Sequence, residues 1–105
     1  MSLIFIYVTY PSHKEAEKII SHLVQKKLIA CATLLPVKSI YHLKGKVKKS
    51  NEVISLMKTT AEKWDKIKQE VTKLHSYKIP CIIKLPADAN LEYLSWVAKC
   101  VQWPI

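Results

Sequence analysis

Two apolar, β-rich segments flank the chain's only glycine, Gly45, and together they run from about Ile29 to Lys58. The first reads as Ile29–Leu35, is interrupted by Pro36 and resumes over Val37–Leu43. Lys44-Gly45-Lys46 reads as a hairpin turn, because the glycine tolerates the positive φ that tight hairpin loops need. A polar, basic stretch follows at Val47–Asn51, and Glu52–Lys58 (EVISLMK) reads as the returning strand. An average strand has about 5–6 residues, so a hairpin of this length overshoots its own sheet. Its apolar residues Ile40, Tyr41 and Leu43 then have nothing in the same chain to lie on. The expectation is a projecting arm that pairs with a neighbouring copy, which covers both its edge and its apolar face.

The rest of the chain brackets this hairpin with alternating strand and helix signals. Leu3–Tyr10 (LIFIYVTY) is a continuous apolar run ended by Pro11, as expected of a strand at a sheet centre. Ser12 and Glu15 make an S-x-x-E capping box, and Ala16, Ile19, Ile20, Leu23 and Val24 follow at helical spacing. Thr59 and Glu62 repeat the box ahead of a Trp64, Ile67, Val71, Leu74 stripe. Ile79–Leu85 reads as a further strand, with Pro80 near its start and Pro86 closing it. Asn90 is positioned to cap a last helix carrying Leu91, Leu94, Val97, Ala98 and Val101, and Pro104 ends the fold. The order is βαββαβ plus a C-terminal helix, a ferredoxin-like α+β arrangement in one domain spanning residues 1–105.

Composition narrows the function. The net charge is +9, and all 17 basic residues are lysine. Arginine supplies the planar fork that reads guanine edges and grips phosphates, so specific nucleic-acid recognition is not expected. One glycine excludes a Gly-rich phosphate loop. Three widely spaced cysteines, Cys31, Cys81 and Cys100, form neither a disulfide framework nor a C-x-x-C zinc site, which fits a reducing cytoplasm. No apolar run reaches the length of a membrane span, and Leu3–Val8 has no basic segment before it and no small-residue cleavage site after it, so neither a membrane role nor a signal peptide is expected. No nucleophile–base–orienter set is visible, and no enzymatic activity is expected. A rival reading is the RNA-recognition motif, which shares the βαββαβ order. Phe5 and Tyr7 match half its aromatic platform, but Glu52–Lys58 carries neither the glycine nor the aromatics that motif requires.

The ordered segments V-T-Y-P at Val8–Pro11, L-I-A-C-A-T at Leu28–Thr33, S-I-Y-H-L-K-G-K at Ser39–Lys46, E-V-I-S-L-M-K-T-T at Glu52–Thr60, L-H-S-Y at Leu74–Tyr77 and Y-L-S-W at Tyr93–Trp96 resemble the CutA family. The resemblance spans nearly the whole chain. It implies a ferredoxin-like homotrimer with intermolecular strand pairing and a role in divalent-cation tolerance, with copper the expected ion. The sequence also departs from the family. Leu43 stands where tryptophan is usual, and Val37 where glycine is usual after Pro36. The H-P-Y-E-x-P-E signature becomes His75-Ser76-Tyr77-Lys78-Ile79-Pro80-Cys81, with acids replaced at Lys78 and Cys81.

His13 and His22 fall on the wet side of the first helix and His42 in the hairpin, whereas His75 ends the second helix shortly before Cys81. The signature places ligand-type residues at His75 and Cys81, and imidazole with thiolate suits copper or zinc better than calcium or magnesium. No cofactor is obligatory on this reading, and two donors need completion by water, Cys31 or a second subunit. Lys58, at a strand end, is expected to line an anion- or small-ligand cleft with Tyr77 and His75. The resemblance implies that Cys31 faces the same cleft between subunits.

Overall fold

A computed structural model describes residues 2–102. The elements run β1 (Leu3–Tyr10), α1 (His13–Gln25), β2 (Cys31–Leu43), β3 (Lys46–Thr60), a short 3-10 turn (Ala61–Lys63), α2 (Trp64–Leu74), β4 (Ile82–Ala87) and α3 (Leu91–Cys100). The four strands form one sheet in the order β2-β3-β1-β4, every neighbouring pair antiparallel. This is the ferredoxin-like arrangement. The proline expected to end the chain's last element, Pro104, lies outside the described residues.

Strand alternation divides the sheet into two faces. Ile4, Ile6, Val8 and Tyr10 of β1 and Val53, Met57 of β3 point to the side where α1 and α2 lie, and they make the core with Ala16, Ile19, Leu23, Ile67 and Val71. Tyr10 brings a polar tip into this layer, and its hydroxyl pairs with Ser55 Oγ at 2.7 Å. Burial pushes its pKa up to about 12. Ser12 caps α1 as expected, its Oγ accepting from the Glu15 amide at 3.2 Å.

Several boundaries differ from expectation, each for a local reason. β2 begins at Cys31 rather than Ile29 and runs unbroken through Pro36, because β2 is the sheet edge, where a missing amide is tolerated. β3 is one strand from Lys46 to Thr60, so the polar Val47–Asn51 stretch is ladder, not loop. Its register pairs Val37 with Glu52 and Leu43 with Lys46. The hairpin closes on two residues, Lys44 (φ 51) and Gly45 (φ 75), both in the left-handed region that a type I′ loop requires. The second capping box does not form: buried Thr59 donates to the Leu28 carbonyl at 2.7 Å, and the turn is entered from Thr60. β4 starts at Ile82, leaving Pro80 and Cys81 in the approach to it, and contains Pro86 rather than ending before it, since β4 is the other edge. Asn90 occupies the cap position of α3 without a side-chain hydrogen bond.

The hairpin gives the molecule extents of 48 × 25 × 21 Å and a radius of gyration of 14.5 Å, above the value of about 13 Å for a compact domain of this length. It therefore projects as an arm.

α1 and α2 are bridged by His22, placed on the wet side by pattern alone. Its Nε2 meets Glu70 Oε1 at 2.7 Å, with Lys66 4.0 Å from the other oxygen. The His22 hydrogen bond lowers the Glu70 pKa against the opposing effect of burial. A carboxylate with a depressed folded pKa stabilises the fold above its ordinary range, and that contribution is lost as pH falls through the folded value. Glu70→Gln is therefore expected to lower the melting temperature at neutral pH, with the difference from wild type closing below the ordinary carboxylate range. A gap that persists unchanged in acid would show that the charge is not what matters.

Candidate functional site

The face of the sheet opposite α1 and α2 is mostly apolar. The registers place Phe5, Tyr7 and Thr9 of β1 beside Lys58, Leu56 and Ile54 of β3, with Cys31, Thr33 and Leu35 of β2 on one flank and Leu85 and Ile83 of β4 on the other. α3 covers part of this face, burying Val97. Leu35, Ile83 and Leu85 remain 44–47% exposed, Tyr41 and Leu43 continue this face out along the arm, and Ile40 and Val47 are exposed on the arm's other face.

At the base of the arm lies an open cleft of about 630 Å³, lined by Thr9, Ser39, Tyr41, Leu43, Glu52, Tyr77, Lys78, Ile79 and Cys81. Tyr77 crosses it and donates its hydroxyl to Glu52 Oε2 at 2.5 Å. Burial and that carboxylate together raise the Tyr77 pKa, so the phenol stays protonated. The Cys81 thiol is also pushed up, first by burial and then by the Glu52 charge. It is therefore a weaker source of thiolate than an ordinary cysteine.

His75 sits behind the cleft, its side chain fully buried. Nε2 lies 2.7 Å from the Thr9 carbonyl and donates to it, and Nδ1 accepts from the Tyr77 amide at 3.1 Å. The ring stacks on Tyr10 with centroids 5.4 Å apart and meets Tyr77 at 4.8 Å. Glu15 Oε2 approaches Nδ1 at 3.5 Å and takes the Ser76 amide and hydroxyl, each at 3.0 Å. His75 thus ties the end of α2 to β1 and α1. With both ring nitrogens engaged, a metal would have to break one of these bonds, so the expected His75–Cys81 metal pair does not fit as the residues stand. No cluster of three or more His, Cys, Asp or Glu suited to a metal ion occurs among the described residues.

The other expected residues lie elsewhere. Cys31 and Lys58 face each other across β2 and β3 on the open face. Cys31 Sγ is 3.4 Å from the Tyr93 hydroxyl, and Lys58 Nζ donates to Thr33 Oγ1 at 2.9 Å. The Cys31 contact, with burial, raises the Tyr93 pKa to about 12. Lys58 pairs with Phe5, four residues along β1 from Thr9, a separation of about 13 Å at strand rise. Tyr77 and Cys81 therefore belong to one site within a chain, and Cys31 and Lys58 to another. Pattern reading missed Glu52, which organises the arm-base cleft; its position opposite Val37 at the foot of the arm becomes visible only once the register is known.

The fold and its two sites define the class: a ferredoxin-like domain with a long β2–β3 arm, an apolar sheet face only partly covered by α3, and a polar cleft where the arm leaves the body. The family model described as CutA1 divalent ion tolerance protein matches residues 4–100, and the chain belongs to that family. The divalent-cation tolerance protein CutA of Archaeoglobus fulgidus is 40% identical over 99 residues, covering 93% of this chain and 97% of that one. The solved structure of the periplasmic divalent cation tolerance protein CutA from the same organism superposes with a TM-score of 0.92 at 40% identity, over 95% of this chain and 99% of that one. The divalent cation tolerance protein Cut A1 from Thermus thermophilus matches with a TM-score of 0.87 at 38% identity, over 90% and 94% of the two chains.

Proposed function

We propose that this chain works as a homotrimeric, non-enzymatic protein of the divalent-cation response, with the arm-base cleft completed by a neighbouring copy. The uncovered apolar face and arm carry this reading. Leu35, Tyr41, Leu43, Ile83 and Leu85 on the open face, and Ile40 and Val47 on the arm's other face, expose what a lone soluble domain buries. A long unprotected edge strand, β2, adds unpaired backbone groups to the same region.

The ligand side of the reading follows the donors. One chain offers the cleft the Cys81 sulfur and the Glu52 carboxylate, too few donors for a closed metal site; the Lys78 ammonium beside them has no lone pair to give a metal. Assembly supplies the remainder, and Cys31 with Lys58 is the pair on the open face that a neighbour brings within reach. A thiol favours copper or zinc over calcium or magnesium, and loading weakens as pH falls because the sulfur must lose its proton. The rival RNA-recognition reading finds no support on the open face, where β3 offers Ile54, Leu56 and Lys58 in place of stacking aromatics. The setting expected for this chemistry is the cytoplasm.

Native mass spectrometry after equilibration with copper or zinc reads both halves at once. The expected species has three times the 12.1 kDa chain mass and carries metal only in the assembled form. A monomer at micromolar concentration would overturn the trimer, and a trimer that takes up neither ion would overturn the metal half alone.

A further inference from the structure

Glu52 is the one carboxylate that lines the arm-base cleft, and it is half-buried there. The chain has 17 lysines against 8 acids, yet among the described residues Glu52 makes no ion pair. Its side-chain partner is a neutral phenol: the Tyr77 hydroxyl donates to Oε2 at 2.5 Å. A carboxylate held by a neutral donor keeps its full charge, so a cation that enters the cleft is drawn to a group already engaged.

Tyr77 is placed for this contact by the body of the domain. Its amide donates to His75 Nδ1 at 3.1 Å, and its ring lies against the His75 ring at 4.8 Å. His75 is itself fixed on the Thr9 carbonyl at 2.7 Å. Between them Ser76 gives its amide and its hydroxyl to Glu15 Oε2, each at 3.0 Å. The start of the α2–β4 connection is thus anchored to β1 and α1. From that anchor the phenol reaches across the cleft to the foot of the arm, where Glu52 stands opposite Val37. A donor positioned in advance gives up little further freedom when it holds its acceptor.

We propose that Tyr77 sets the metal selectivity of the cleft: by holding the Glu52 carboxylate it leaves the Cys81 sulfur as the donor at hand, and so favours Cu(I) over zinc. This inference rests on the reading that the cleft takes a metal. Cu(I) is a soft ion that thiolate sulfur satisfies. Zinc in a mixed site takes carboxylate oxygen together with sulfur, so it must draw Glu52 away from the phenol, which keeps its proton and turns to water. A hydrogen bond to a charged acceptor is strong enough that breaking it lowers zinc affinity by about 10-fold. Copper held through sulfur avoids that loss. The Tyr77–Glu52 contact lies within one chain, so it persists when a neighbour covers the arm and completes the cleft.

Competition titrations of the full chain against chromophoric chelators, with zinc and, anaerobically, with Cu(I), test it. Tyr77→Phe keeps the ring and its packing on His75 but removes the donor. It should bind zinc about 10-fold more tightly than wild type and bind Cu(I) as wild type does. Adding Glu52→Gln to Tyr77→Phe should abolish the zinc gain and leave Cu(I) unchanged. Circular dichroism and light scattering check that every variant keeps the wild-type fold and mass. If Tyr77→Phe bound zinc no more tightly than wild type, or gained equally for both ions, the selectivity role would be overturned while the metal reading stood. Weaker zinc binding by Tyr77→Phe would also overturn it, since the phenol would then be a ligand and not a restraint. If neither wild type nor Tyr77→Phe bound either ion, the metal reading itself would fall and this inference with it.

Discussion

Replacing His75 by alanine is expected to destabilise the fold by about 3–5 kcal/mol, the combined cost of a buried cavity and two orphaned hydrogen-bond partners. The Thr9 carbonyl and the Tyr77 amide each lose their partner, and Tyr10 loses a stacked ring. Chemical denaturation of wild type, His75→Ala and His75→Phe separates the contributions. The phenylalanine keeps the stack and much of the volume but makes neither bond, so it should fall between the other two. Copper and zinc titrations on the same proteins then ask a different question. If His75 is structural, His75→Phe binds metal as wild type does while Cys81→Ser weakens it. A His75→Ala protein as stable as wild type but deficient in metal binding would reverse that assignment and restore the residue as a ligand.

The pair Ile83→Asp and Leu85→Asp should convert the proposed trimer to a monomer while leaving the helices and sheet intact. Both side chains sit on the open face, half exposed in the single chain at 47% and 45%, so they contribute little to the monomer's own core. Closing them against a neighbour is worth about 1 kcal/mol or more apiece. Burying an unpaired carboxylate there instead costs several kcal/mol, and a symmetric assembly incurs that cost at every interface. Light scattering at micromolar concentration reads the mass, and far-ultraviolet circular dichroism reads the fold. If the double variant kept the wild-type mass, the open face would not be the assembly surface, and the arm would have to carry that role alone.

Much of the architecture was legible because local chemistry and tertiary demand coincide. Continuous apolar runs with the Ser12 cap between them placed β1 and α1, and the lone glycine marked the hairpin turn. Boundaries slipped where a local signal met a tertiary exception. Pro36 and Pro86 read as strand breaks and are not, since both lie on edge strands whose outer backbone groups need no partner within the sheet. Val47–Asn51 reads as loop by polarity, yet cross-strand bonds to Val37–Leu43 hold it in the ladder.

Residue types in linear order were enough to establish the family, the βαββαβ order, the overlong arm and its excess of lysine. Which partners the candidate residues meet was decided by packing in three dimensions. His75 is a metal-ligand candidate in the chain's signature and a buried tether in the fold, since its two nitrogens meet Thr9 and Tyr77. Cys31 and Lys58 are remote in the chain and direct neighbours across the ladder, while Tyr77 falls to a different cleft. A side chain's chemistry is carried by its type, but its availability is set by which donors and acceptors the fold brings to it, and those come from strands and helices remote in sequence.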